Sequence, residues 1–150
     1  MNARFSPPKD KADLLKALVD KNSPFNELRD VLFFAAMIGW KEQRRVPLSA
    51  RGEAIRWDVM VNRTGTEIVT DMIAVATCPD DRELLSEARK DERVALLEEY
   101  ANGGLEVLRD RLSAAGAVPS RAVILSVVQD YLEDDSEAEQ EDLAKKVLNL

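Results

Sequence analysis

The chain has 150 residues, enough for one domain with its own core, and 33% of them are charged. Its net charge of −7 is unevenly spread: residues 133–142 hold seven of the 28 acids and no base, which leaves a neutral body with an acidic end. Histidine is absent and cysteine occurs once, at Cys78, which excludes Ser-His-Asp and Cys-His nucleophile systems, His-containing zinc sites and an internal disulfide.

In chain order, Asp10 stands where an N-cap starts a helix running to about Lys21, with Leu14, Leu15, Leu18 and Val19 on one face. Ser23 followed by Pro24 opens a second helix, because proline suits the first helical position, and Gly39 is its natural stop. Between Val31 and Ile38 this helix is apolar on every side, so Phe33, Phe34, Ala35 and Met37 are expected in the core. Thr64 and Glu67 have capping-box spacing ahead of Ile68, Val69, Met72, Ile73 and Ala76, and Pro79 closes that helix. Asp80 with Glu83 opens a highly charged helix over about 81–101, with Leu84, Leu85, Ala88, Leu96 and Leu97 as its apolar stripe. Asn102-Gly103-Gly104 interrupts it, and Leu105, Leu108, Leu112 and Ala115 continue as a short helix stopped by Gly116. After Pro119, the residues Val123, Ile124, Val127, Val128, Tyr131 and Leu132 favour strands by type, yet their i, i+1, i+4, i+5 spacing gathers them only on a helix. Ser136 with Glu139 is one more capping box, before Leu143, Val147 and Leu148. The acidic segment 133–150 is then either a peripheral helix docked by its apolar face or disordered.

Residues 41–63 are the exception, too long a connection to be structureless. Ile55, Trp57, Val59 and Val61 alternate with Arg56, Asp58 and Met60, a strand-like period that Val46-Pro47-Leu48 can pair with as an irregular hairpin; Ile55 and Val59 also fit a short helix from Glu53. Spacing leaves both open. The same segment carries Lys41, Arg44, Arg45, Arg51, Arg56 and Arg63 against three acids, with both tryptophans, Trp40 and Trp57. An arginine grips a phosphate through a fixed fork of N–H groups, so these six cations are the candidate nucleic-acid contacts. The alternative is a loop whose arginines pair with Asp and Glu of neighbouring helices, with both tryptophans in the core. Cys78 reads as a small buried residue, and the adjacent acids Asp134 and Asp135 diverge round a helix too far to share a metal. Gly103-Gly104 lacks the Lys-Ser/Thr of a phosphate loop.

The run from Phe25 to Gly39, followed by Arg44-Arg45-Val46-Pro47-Leu48 and Ile55-Arg56-Trp57-Asp58, resembles the small bacterial family called dnd system-associated protein 4, encoded beside DNA phosphorothioation genes. The resemblance covers about residues 24–76 and contains no catalytic motif. It implies a role in systems that mark DNA with a sulfur-substituted backbone and attack unmarked invaders. The expected architecture is all-α or mainly α, a single domain of five to seven helices with a long basic connection at about 41–63. The expected function is a non-enzymatic accessory subunit, without cofactor or metal, contacting duplex DNA through the six cations. A protein-interaction adaptor that holds a larger partner of such a system is the alternative, and homo-oligomers fit either. No apolar run is long enough to cross a bilayer, and residues 1–11 lack the apolar core of a secretory signal, so a cytoplasmic location is expected.

Overall fold

The computed structural model describes residues 3–114, 116 and 120–149; Ala115 and Pro119 lie outside them. Among the described residues there are six α-helices and one two-stranded sheet, a mainly α architecture. The centre is the crossing of α2 (Leu28–Lys41) with α5 (Lys90–Ala114), the most extensive contact between any two elements. Both helices run on past glycines that the sequence reads as stops, for one shared reason. A Cβ on Gly39 would lie 2.0 Å from the Tyr100 carbonyl oxygen, and one on Gly104 would lie 1.6 Å from that of Ala35. The glycines are therefore points where two backbones touch rather than helix ends. Gly39 does not stop α2, and Asn102-Gly103-Gly104 does not interrupt α5. Around the crossing, Val31, Leu32, Ala36, Leu97, Ala101, Leu105 and Leu108 form the core.

The start of α2 is also displaced. The helix begins at Leu28, while the Ser23 hydroxyl accepts from the Phe25 amide in a local turn. In a helix from Pro24, Phe25 and Phe34 would sit about 180° apart at 100° per residue. The turn instead brings their rings to 5.1 Å between centroids. α1 is short, Ala12–Leu18, because residues 9–11 form a 3-10 turn that Asp10 does not cap and that buries Lys11. α4 (Thr66–Thr77) starts after Gly65, at φ +90°, rather than at a Thr64 cap, and ends just before Pro79 as expected. Two 3-10 turns, Arg82–Leu85 and Glu87–Arg89, replace the first part of the helix expected over about 81–101, and its remainder is the start of α5.

Segment 41–63 forms no hairpin with 46–48. Its extended part, β2 (Ile55–Arg56), pairs antiparallel with β1 (Arg4–Phe5), and the pairing continues as a bridge between Pro8 and Arg51. The helix expected from Glu53 is not formed either: a single turn, α3 (Trp57–Met60), begins only after β2 and turns Trp57 and Met60, rather than Val59, into the core. Val46 and Pro47 instead strap across α5, the Val46 amide donating to the Glu99 carbonyl and the Asn102 side chain donating to both of their carbonyls.

α6 (Arg121–Leu148) is one uninterrupted helix, capped by the Ser120 hydroxyl, which accepts from the Val123 amide. Ser136 does not restart it. Ile124, Val127 and Tyr131 pack on the core, whereas residues 132–149 are all exposed. The acidic segment is thus helical, but its apolar residues are not docked on the body.

Candidate functional site

Each of the six cations singled out in the sequence is paired with a carboxylate. Segment 44–51 lies along α5, where Glu99, Glu106 and Asp110 follow one another at helical spacing. Arg44 reaches Glu106 at 3.1 Å and Asp110 at 3.4 Å, and Arg45 pairs with Glu99, which raises the arginine's pKa further. Arg51 donates to Glu98 at 2.9 Å. Lys41, at the end of α2, pairs with Asp135 of α6, and that hydrogen bond raises its pKa. Arg56 pairs with Asp58, and Arg63 reaches Asp30 at 3.3 Å. Arg44, Arg45 and Arg51 therefore share one side of α5, while Lys41, Arg56 and Arg63 lie elsewhere. The two tryptophans part: Trp57 is buried, and Trp40 is 39% exposed.

Two of these pairs reach into the body. Glu98 is almost fully buried, accepts from the Ser6 amide at 2.9 Å and takes Arg51 as its counter-charge. Burial pushes its carboxyl above the usual range, opposed by the Ser6 and Arg51 hydrogen bonds. Lys11, also buried, donates to the Asn102 side-chain oxygen Oδ1 and lies 3.6 Å from Glu106, the partner of Arg44. The carboxylates that hold the basic segment thus tie α5 to Ser6 and Lys11 of the amino-terminal segment as well. At the base of α6 the Arg111 guanidinium lies 4.7 Å from the Tyr131 ring centre and pairs with Asp130, while burial pushes the Tyr131 hydroxyl up to about 12.

Sequence reasoning missed two other surfaces. Met37, Trp40, Ile68, Met72 and Val75 are exposed on neighbouring faces of α2 and α4, around an open groove of about 460 Å³. The all-round apolar character of α2 had placed Met37 in the core, but it is 47% exposed; Phe33 and Ala35 are buried and Phe34 partly so. The second surface is the outer side of α6. At 100° per residue, Leu125, Leu132, Ser136, Gln140, Leu143 and Val147 fall on one uncharged stripe, with acids on both flanks. The stripe is legible in the sequence; that it lies uncovered among the described residues is not. Among the described residues, no three Cys, Asp or Glu side chains converge as a metal-ligand group, and no helix is long and apolar enough to cross a membrane.

These features define a helical protein with internally paired arginines and exposed contact faces. The chain belongs to the family described as DNA sulphur modification system-associated protein 4, whose model matches residues 4–146. The match extends the resemblance beyond residues 24–76 to most of α6, acidic segment included. No curated protein and no solved structure matches the chain.

Proposed function

We propose that the protein is a non-enzymatic accessory subunit of a DNA sulphur modification system that works by holding other protein chains. The observation that supports this most is α6: residues 132–149 project from the body with an uncovered stripe, Leu132, Leu143 and Val147 each at least 60% exposed. Contiguous exposed apolar surface is characteristic of interaction sites. The test is coexpression with the other proteins of the system, followed by capture of the wild type and of Leu132→Glu/Leu143→Glu. Capture by the wild type and loss in the variant is the expected result; equal capture by both refutes a role for α6.

Direct DNA contact is the second reading, favoured by the alignment of Arg44, Arg45 and Arg51 along one side of α5. Exposed ion pairs are worth only about 0–1 kcal/mol, so a phosphate can displace a carboxylate. Every displacement nevertheless leaves an acid beside the phosphate, and for Arg51 a buried one. Affinity is then weak, independent of sequence and steeply salt-dependent, log K falling about 0.9 per contact against log salt. Fluorescence anisotropy of a labelled duplex should show Arg44→Ala/Arg45→Ala weakening binding at low salt. No wild-type binding at low salt, or equal binding by the double variant, removes this reading.

A further inference from the structure

We infer that the groove between α2 and α4 receives the projecting stripe of α6 from a second copy of this chain, and that two copies exchange these helices reciprocally. The inference rests on the protein-contact reading above and names the first chain that is held.

Two unpartnered apolar surfaces occur on one molecule. Among the described residues the groove is lined by Met37, Trp40, Val69, Met72, Ile73 and Ala76, with Lys41 as the one charged side chain. The stripe runs through Leu132, Ser136, Gln140, Leu143 and Val147, along about 22 Å of helix at 1.5 Å per residue. Its flank carries Asp135, Glu139 and Asp142, the charge that a Lys41 rim accepts. Lys41 already pairs with Asp135 of its own chain, so the groove edge tolerates this acidic helix and α6 leaves the body beside it.

The chain's own α6 does not fill its groove, since no α6 residue lines it. The face of α6 that packs on the body, Ile124, Val127 and Tyr131, lies roughly 140° round the helix from the stripe. A straight α6 therefore presents its stripe away from its own core. Pairing of α6 with another α6 is opposed by charge, because residues 133–142 of both helices carry seven acids and no base. Groove and stripe are left as complementary surfaces, and exchange about a two-fold axis satisfies both pairs at once.

The experiment is sedimentation equilibrium of the full chain with Met72→Glu, Leu143→Glu and their mixture. Both positions are exposed, so neither variant threatens the fold. The wild type should be dimeric at micromolar concentration, and each variant should dissociate at least tenfold more readily. Mixing the two variants should restore heterodimer, because the intact helix of the Met72→Glu chain meets the intact groove of the Leu143→Glu chain. A monomeric wild type, a dimer indifferent to either substitution, or a mixture that stays monomeric overturns the inference. A monomeric wild type that still captures other proteins of the system overturns the exchange alone and leaves the protein-contact reading standing.

Discussion

Replacing Gly104 by alanine should separate the two central helices. The added Cβ would lie 1.6 Å from the Ala35 carbonyl oxygen and 2.5 Å from its carbon, both backbone atoms that no rotamer change can move. Comfortable contact needs about 3.5 Å, so α2 and α5 must part by well over 1 Å at this point. A radial gap of even 0.5–1 Å forfeits roughly a quarter to a half of each dispersion contact, here those of Leu32, Ala36, Leu97, Ala101 and Leu108. Overpacking typically costs about 1–3 kcal/mol, and a backbone clash belongs at the upper end. Alanine returns about 1 kcal/mol of helix propensity. The expected net loss is about 2 kcal/mol, or roughly 4–8 °C in Tm for a domain of this size. Urea denaturation followed by circular dichroism measures it, with Gly65→Ala as comparison. At Gly65, with φ +90° and open space around the Cβ, the cost is conformational only, about 1 kcal/mol. A Gly104→Ala protein as stable as the wild type would refute close backbone approach as the reason for glycine.

Phe33→Ala should cost about 3–5 kcal/mol and Met37→Ala less than about 1, because only Phe33 is buried; equal losses in urea titrations would contradict the exposed α2–α4 face. Arg51→Ala should destabilise by about 1–2 kcal/mol at neutral pH, the partner Glu98 being buried and Arg51 itself largely exposed. Glu98 has its folded-state pKa raised by burial, so its favourable contribution is present below the unfolded value and lost as pH rises through the folded one. Without Arg51 that rise grows, and the variant should lose more stability at pH 7 than at pH 4, with Glu98→Gln restoring most of it. A pH-independent difference between Arg51→Ala and wild type would show that the guanidinium does not compensate Glu98.

Helices are legible in this chain because their apolar periods are local, and α4 and α6 appear where Ile73 and Ile124 repeat. Their ends are less so, since a glycine reads as a stop whether it ends a helix or meets another backbone. Gly39 and Gly104 do the latter, a fact fixed by residues some sixty positions away. The small residues Ala35, Ala36 and Gly39 on α2 and Ala101 and Gly104 on α5 are the signal that could have found the crossing, while Gly103 makes room for the Arg44 backbone. The alternation at 55–61 was real for two residues, but its partner, Arg4–Phe5, is distant in sequence and no local pattern names it. The basic segment was visible as charge, whereas its neutralisation depends on which face of α5 the 44–51 strap crosses. Glu99, Glu106 and Asp110 already lay at helical spacing, and that line of acids was the available clue. Surface exposure was the least legible property, because Met37 and Leu143 look like core residues in any helical wheel.

With the basic segment paired internally, the excess negative charge of the molecule is concentrated on the projecting part of α6. That concentration strains the helix itself. Glu133–Glu137, Asp135–Glu139 and Glu137–Glu141 are like-charge pairs at i, i+4, each unfavourable by about 0.2–0.5 kcal/mol at low salt. Among the i, i+4 pairs, Glu141–Lys145 and Asp142–Lys146 act in the other direction, and both lysines suit the negative end of the helix dipole. Screening should therefore help more than it harms, the Debye length falling from about 30 Å at 0.01 M salt to below about 8 Å above 0.15 M. Circular dichroism of the full chain should show helicity rising as salt is added. A chain truncated after Tyr131, which keeps the packed part of α6, should show no such rise. Equal salt responses in the two chains, or a fall in the longer one, would mean that like-charge repulsion does not limit this helix. The same repulsion bears on binding: an apolar surface laid on the stripe with cations at its edges, as Lys41 edges the α2–α4 groove, relieves both the exposed leucines and the crowded carboxylates.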